Sequence, residues 1–232
     1  MQLAIESLPA KGAPEQLMLL LHGVGGSGAS MAVLAQALRQ EFPQAAILAP
    51  DAPNRFDGGG NGRQWFSVAG IGEDNRVARV AAAVAPFRSW VHQTQQRLGL
   101  GPAATAFVGF SQGAILALET TLAEDGIAGR VIAFSGRYAK PPQRAPRETT
   151  IHLLHGGADP IITVDHARAA FSALNALQGD ATIDIAEGVG HEPHPVLVER
   201  AVFRLKNHIP ARTWAAALGS APLHSGPEDE DD

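Results

Sequence analysis

A serine in a glycine-flanked turn is the residue of this sequence best suited to covalent chemistry. Ser111 occupies the pentapeptide Gly109-Phe110-Ser111-Gln112-Gly113, which has the form G-x-S-x-G. An apolar run precedes it and apolar residues at helical spacing follow it, so the pattern predicts a strand, a tight turn and a helix. Such a turn favours a positive φ, and its two glycines let the strand and the helix approach closely. Free N–H groups at the start of the helix would stabilise an oxyanion.

The alternative is an ordinary turn in which Ser111 only caps the helix. The motif alone would arise by chance in roughly one chain in ten of this length and composition, so the argument needs partners for the serine. A serine hydroxyl becomes nucleophilic when an imidazole accepts its proton and an acid orients that imidazole. Asp159 follows a predicted strand at 151–155, and His191 follows another at 182–186.

These positions share one edge of the predicted sheet. Parallel strands end together at the carboxyl edge, where ligands bind in open α/β sheets. The chain order serine, aspartate, histidine is the order found in α/β hydrolases. Rivals for the acid and the base are Asp165, His22, His155, His166 and His194.

A second glycine-rich turn allows two interpretations. The segment His22-Gly-Val-Gly-Gly-Ser-Gly28 follows the apolar run 17–21. Gly23, Gly25 and Gly28 fit a dinucleotide-binding G-x-G-x-x-G, with Asp51 about twenty residues further on. The same turn fits an oxyanion loop, in which the backbone N–H of Val24 acts with that of Gln112. The glycine pattern alone does not decide between them.

The proline- and glycine-rich loop at 51–67 contains Trp65 and Phe66. The two aromatic residues either line an apolar acyl pocket or cover the core under the loop. We take them, with Gly23, as the expected substrate-binding residues. The pairs His152/His155 and His191/His194 do not predict a metal site, because no helical H-E-x-x-H surrounds them and a strand places i and i+3 on opposite faces.

The bulk properties limit the function classes. The chain has 232 residues, 45% of them hydrophobic, which fits one domain with a sizeable core. Its formal net charge of −5 gives no basic field for nucleic acid, and it has no cysteine for disulfides or thiolate metal sites. Neither a leader sequence nor a membrane-spanning segment is recognisable, so we expect a cytoplasmic protein without membrane insertion.

The predicted fold is an α/β single domain with a mostly parallel sheet, helices on both faces and no lid domain. Ser30 is expected to cap the first helix, and Pro86 is expected to kink or break a helix at 74–98. Residues 1–212 form the predicted catalytic domain. Residues 213–232 form a C-terminal segment that ends in an acidic, disordered tail. The predicted strands lie at 17–21, 47–49, 105–110, 131–134, 151–155 and 182–186.

Five segments of the chain form a recognisable set: His22-Gly-Val-Gly, Arg63-Gln-Trp-Phe, Gly109-Phe-Ser-Gln-Gly113, His155-Gly-Gly-Ala-Asp-Pro160 and Gly190-His191. Together they resemble the phospholipase/carboxylesterase family of serine hydrolases, over about residues 17–210. The resemblance is greatest to the small bacterial carboxylesterases, with Glu73-Asp-Asn75 after the Trp-Phe pair. It implies Ser111 as nucleophile, Asp159 as orienting acid, His191 as base, and Val24 and Gln112 as oxyanion-hole residues. Acyl-protein thioesterases usually carry Asp where this chain has Gly26, which argues against protein depalmitoylation more than against ester chemistry.

The predicted function is therefore a cofactor-free serine carboxylesterase that hydrolyses short-chain esters through an acyl-serine intermediate. An acyl thioesterase or a lysophospholipase would use the same three residues. A dinucleotide-binding protein and an inactive scaffold are the alternatives from other classes. The expected partner is a small ester, without nucleic acid, and a homodimer is one of the assemblies that the sequence leaves open.

Overall fold

A seven-stranded sheet forms the centre of the protein. The structure is a computed structural model that describes residues 1–219. The sheet order is β1-β3-β2-β6-β7-β8-β9, parallel throughout except that β1 runs antiparallel to β3, and β4 and β5 form a separate two-stranded ribbon. The strands are β1 (Leu3–Ser7), β2 (Gln16–Leu21), β3 (Ala45–Pro50), β4 (Asn54–Arg55), β5 (Arg63–Gln64), β6 (Thr105–Phe110), β7 (Arg130–Phe134), β8 (Thr150–Gly156) and β9 (Ala181–Ala186).

Helices cover both faces of the sheet. Side chains of α2, α3 and α4 pack on one face of the sheet, and side chains of α1 and α5 pack on the other. Strand β2 is apolar throughout because it faces both layers: Leu17, Leu19 and Leu21 belong to one core cluster, and Met18 and Leu20 to the other. The predicted single domain with a mostly parallel sheet is confirmed. The helices are α1 (Ala32–Glu41), α2 (Glu73–Leu98), α3 (Gln112–Ala123), α4 (Val164–Ala176), α5 (Pro195–Asn207) and α6 (Ala211–Gly219).

Helix α2 continues through Pro86, so of the predicted kink or break at this residue the break is excluded. Pro86 is exposed, so the carbonyl that loses its helical partner can be hydrated, while Val84 and Phe87 hold the helix on the core. Although α2 is 26 residues long, neither it nor any other helix within residues 1–219 is long and apolar enough to cross a bilayer.

The structure also differs from the sequence predictions at helix α1 and at strand β1. Ser30 does not cap α1: it lies in a 3₁₀ turn over Gly28–Met31, where its Oγ donates to the Ser27 carbonyl, and α1 begins at Ala32. Strand β1 was not predicted, because a half-exposed edge strand carries only a weak apolar alternation.

Helix α6 crosses the boundary predicted between residues 212 and 213. The acidic end predicted to be disordered, residues 220–232, lies outside the described residues.

Candidate active site

Ser111 lies in a sharp turn between β6 and α3. Its φ of 52° and ψ of −115° confirm the predicted positive φ. A Cβ on Gly113 would lie 2.1 Å from the Leu21 carbonyl oxygen, and one on Gly109 would lie 2.6 Å from the Ala114 backbone. A side chain at position 109 would force β6 and α3 apart, and one at position 113 would force α3 away from the neighbouring strand β2. The local sequence therefore folds into this turn for steric reasons.

The structure brings the three predicted side chains into one hydrogen-bonded chain. Ser111 Oγ lies 2.9 Å from His191 Nε2, and His191 Nδ1 lies 2.7 Å from Asp159 Oδ2. An ionised carboxylate only accepts, so Nδ1 donates and Nε2 is left to accept the serine proton. The Ser111 hydroxyl does not cap α3, since no side-chain capping bond is present. This is the arrangement needed for general-base activation of a serine.

The second oxygen of Asp159 is held by the backbone. Oδ1 accepts the N–H groups of Ile161 (2.9 Å) and Ile162 (3.0 Å). Burial raises the pKa of the Asp159 carboxyl, but the hydrogen bonds from His191 and these two N–H groups outweigh burial and hold its pKa below the usual range. Asp159 is therefore ionised at neutral pH and can stabilise an imidazolium.

Within residues 1–219, no rival residue is hydrogen-bonded to Ser111 or His191. The Asp165 side chain is largely exposed and pairs with Arg168 at 3.2 Å, away from His191. His155 comes within 3.4 Å of Asp159 Oδ2, but its Nε2 makes a closer contact, at 2.7 Å, with a backbone carbonyl. The contacts of the rival histidines are the Gly23 carbonyl for His22, the Ile162 carbonyl for His155, Arg137 for His166 and the Val196 N–H for His194.

Two backbone N–H groups beside Ser111 are free to bind an oxyanion. Gln112 is the first residue of α3, so its N–H has no acceptor within the helix. The N–H of Val24 has no hydrogen-bond acceptor among residues 1–219. The Val24 loop contacts the nucleophile turn, because a Cβ on Gly23 would lie 3.3 Å from the Ser111 Cβ. Gly23 is thus placed against Ser111, and a side chain there would require Phe110 and Ser111 to shift slightly.

The N–H groups of Gly25, Gly26 and Gly28 in this loop already have acceptors, which argues against the dinucleotide interpretation. Gly25 N–H donates to the Arg63 carbonyl (2.8 Å), and Gly26 N–H donates to the Gly23 carbonyl (3.1 Å). Gly28 N–H donates to Asp51 Oδ1 (2.8 Å), so the carboxylate expected to hold a ribose binds the loop itself. A pyrophosphate cradle needs these groups unoccupied. Asp51 and the glycines shape the loop instead.

Trp65 and Phe66 are core residues in the structure, with 2% and 5% of their surface exposed. The indole of Trp65 packs against His22 and Phe87, at ring-centroid distances of 5.3 and 5.9 Å. Of the two interpretations that the sequence left open, the structure supports the one in which these residues cover the core. Apolar rings at this depth contribute packing rather than an acyl-binding surface.

The side chain of Gln112 has a role that the sequence analysis missed. Its Oε1 accepts the Trp65 N–H and its Nε2 donates to the Phe66 carbonyl, both at 2.7 Å. The Trp65 indole N–H then donates to the His22 carbonyl (2.9 Å), two residues before Val24. Buried polar groups connected in this way fix one backbone geometry. The network connects the two backbone segments that carry the predicted oxyanion N–H groups, those of Val24 and Gln112. The sequence signal for it was the aromatic pair Trp65-Phe66 within a loop rich in glycine and proline.

We expect Trp65→Phe to reduce kcat by about tenfold and to lower the free energy of unfolding by about 1–3 kcal/mol. The substitution keeps an aromatic ring but leaves the buried His22 carbonyl without its donor, so the Val24 loop loses a support. Trp90→Phe is the matched control, since Trp90 stacks on the other side of Phe87, away from the loop. Steady-state kinetics and urea unfolding of both variants test this. Equal effects of the two variants on kcat would contradict a positioning role for Trp65.

The parallel sheet, the strained serine turn and the Ser–His–Asp geometry define an α/β hydrolase. The phospholipase/carboxylesterase family model matches residues 4–209, and this chain belongs to that family. It is 46% identical to Esterase YpfH of Escherichia coli (strain K12) over 88% of each chain. It is 30% identical to Acyl-protein thioesterase 1 of Kluyveromyces lactis over 73% of this chain and 78% of the relative. Among solved structures, esterase PE8 matches with a TM-score of 0.81 and 30% identity, over 90% of this chain and all of that one.

Proposed function

We propose that this protein is a serine carboxylesterase that works through an acyl intermediate on Ser111. The observation that carries the proposal is the pair of hydrogen bonds joining Ser111 Oγ to His191 Nε2 (2.9 Å) and His191 Nδ1 to Asp159 Oδ2 (2.7 Å). Membership of a carboxylesterase family and the similarity to two esterases support the same activity.

The proposed reaction has two halves. Ser111 Oγ attacks the ester carbonyl carbon while His191 takes its proton, and the ionised Asp159 stabilises the imidazolium. The N–H groups of Val24 and Gln112 bind the oxyanion, and its collapse expels the alcohol, which receives the proton from His191. Water then loses a proton to His191 and attacks the acyl-serine, releasing the acid and restoring the serine hydroxyl.

We expect short-chain esters to be the preferred substrates. Ile161, whose N–H binds Asp159, is 70% exposed, and Val24 is 38% exposed. Exposed apolar side chains beside these backbone groups would offer a short acyl chain some contact and a long chain little burial. Trp65 and Phe66, being packed in the core, add no such surface.

The second candidate function is an acyl thioesterase. The similarity to Acyl-protein thioesterase 1 favours it, and the same three residues would serve, because an oxyanion forms in either reaction. Values of kcat/KM for an oxygen ester and a thioester with the same acyl group, compared over a series of chain lengths, separate the two functions. Faster turnover of long acyl chains would contradict the proposed short-chain preference.

Labelling with a fluorophosphonate tests the proposed nucleophile directly. The reagent phosphonylates only an activated serine, so we expect one adduct on the intact protein and peptide mapping to place it on Ser111. Prior denaturation should abolish labelling, because the base and the acid come from separate loops. No adduct, or an adduct on another serine, would show that the triad is not working.

A further inference from the structure

A cationic cavity of about 270 Å³ lies between the start of α2, the loop after β7 and the start of α4. Its lining includes Arg76, Arg137 and Lys140, with Glu73 as the single carboxylate among its described lining residues. His166 also lines it. The protein as a whole carries a net charge of −5, so this concentration of positive charge is local.

The guanidinium groups of Arg76 and Arg137 have few hydrogen-bond partners among the described residues. Within residues 1–219, neither Arg76 nor Arg137 has a carboxylate within 4 Å, and the Nε atoms of both are buried without a hydrogen bond. Among the described residues, the hydrogen bond of the Arg137 side chain joins Nη1 to His166 Nε2, at 3.2 Å. Burial, followed by the charge of Arg76, lowers the pKa of Arg137, and Glu73 only partly opposes this.

Two like charges that are partly removed from water raise the free energy of the folded protein. Natural proteins tolerate such unfavourable placements mainly at functional sites. A carboxylate or phosphate bound between the two guanidinium groups would satisfy their N–H donors and cancel the repulsion.

The cavity lies at the edge of the sheet that carries the triad. The Phe134 carbonyl, at the end of β7, accepts the Ser111 N–H at 2.9 Å. Arg137 follows three residues later, so its Cα lies within about 11 Å of the Phe134 Cα. The intervening Gly136 packs against the first turn of α3, where its Cβ would lie 2.4 Å from that of Ala114. The backbone of Arg137 therefore lies near the turn that carries Ser111, at a distance that a short substrate chain spans.

We propose that Arg76 and Arg137 form a subsite for an anionic group, so that the preferred esters carry a second, ionised group, either carboxylate or phosphate. The proposal rests on the esterase function proposed above. The ester carbonyl occupies the triad, the anion occupies the cavity, and the chemistry at Ser111 is unchanged. Arg76 and Arg137 determine specificity and do not touch the reacting atoms.

Two matched pairs of esters test the proposal. The first pair is 4-nitrophenyl hydrogen adipate and its methyl ester, which differ in a negative charge on the acyl side. The second pair is 4-carboxyphenyl hexanoate and its methyl ester, which differ in the same way on the alcohol side. In at least one pair the wild-type protein should favour the anionic ester by about tenfold in kcat/KM. Arg137→Gln and Arg76→Gln should each abolish most of that preference, while turnover of the neutral ester stays within about twofold.

Three further measurements test whether the preference depends on the charge of this cavity and which anion it binds. Glu73→Gln removes the opposing carboxylate and should increase the preference for the anionic ester. Arg200→Gln, which removes an exposed charge on α5 at the opposite face of the sheet, should leave the preference unchanged. Adipate and inorganic phosphate, tested as competitive inhibitors of neutral ester hydrolysis, distinguish a carboxylate subsite from a phosphate subsite.

The outcomes separate this proposal from the proposed function. Hydrolysis of the neutral esters without any preference for an anionic partner in either pair would overturn the subsite and leave the esterase intact. An equal loss of activity on anionic and neutral esters in Arg137→Gln would also overturn it. Failure of the wild-type protein to hydrolyse any of the four esters would instead contradict the esterase function on which the subsite depends.

Discussion

Ser111→Ala is expected to lower kcat for a 4-nitrophenyl ester by about 10⁴- to 10⁶-fold. Removal of Oγ eliminates both the attacking atom and the hydrogen bond to His191, so no acyl-enzyme can form. The free N–H groups of Val24 and Gln112 remain and would support a slow direct attack by water. Active-site titration of each preparation excludes traces of wild-type enzyme as the source of residual turnover.

Ser135→Ala is the matched control for this substitution. Ser135 follows the neighbouring strand β7, has a positive φ of 46°, and carries a buried Oγ without a hydrogen-bond partner. Its replacement by alanine therefore repeats the backbone strain and the burial but not the chemistry, and we expect kcat to stay within about threefold of the wild type. A Ser111→Ala variant that keeps a tenth of wild-type activity would refute the assignment of the nucleophile.

Asp159→Asn is expected to lower kcat on the order of 10⁴-fold with little change in KM. The asparagine oxygen can still accept the N–H groups of Ile161 and Ile162, which leaves its NH₂ group facing His191 Nδ1. A donor at that position favours the tautomer with the proton on Nε2, which cannot accept the Ser111 proton. The fold should survive, because the volume and the backbone hydrogen bonds are retained.

Asp165→Asn is the control for the acid. This carboxylate was the sequence rival of Asp159, but its side chain is 82% exposed and its ion-pair partner is Arg168. We expect kcat and KM to match those of the wild type, as exposed ion pairs contribute little. If Asp165→Asn reduced kcat as much as Asp159→Asn, the orienting acid would have been assigned wrongly.

The local sequence determined the turn that presents Ser111. Gly109 packs on Ala114, five residues along the chain, and the positive φ belongs to the turn itself, so a short pattern was enough to predict both. The contact of Gly113 with Leu21 of β2, by contrast, joins distant segments. The strand ends before Asp159 and His191 were likewise predictable, from the largely apolar segment 151–155 and from the apolar alternation at 182–186. The edge strand β1 and the continuation of α2 through Pro86 were not predicted, because each depends on exposure to water, which sequence periodicity does not measure.

Other features depend on contacts between residues far apart in the chain. Gln112 holds a loop 47 residues away, and that contact puts Trp65 in the core, where the sequence allowed an acyl pocket equally well. The sequence of the glycine loop at 22–28 fits two functions. The tertiary structure distinguishes them, because Asp51 and the Arg63 carbonyl accept hydrogen bonds from N–H groups of the loop. The cationic cavity brings α2, the loop after β7 and α4 together, and no segment of the sequence signals it.

The sequence by itself thus determined the fold class and proposed the Ser–Asp–His set, while the tertiary structure decided which histidine faces Ser111 and what the aromatic and glycine residues do. The physical reason is the range of the interactions. Steric limits and apolar periodicity act within a few residues, whereas hydrogen-bond partners and charge neighbours are set only when distant segments pack together.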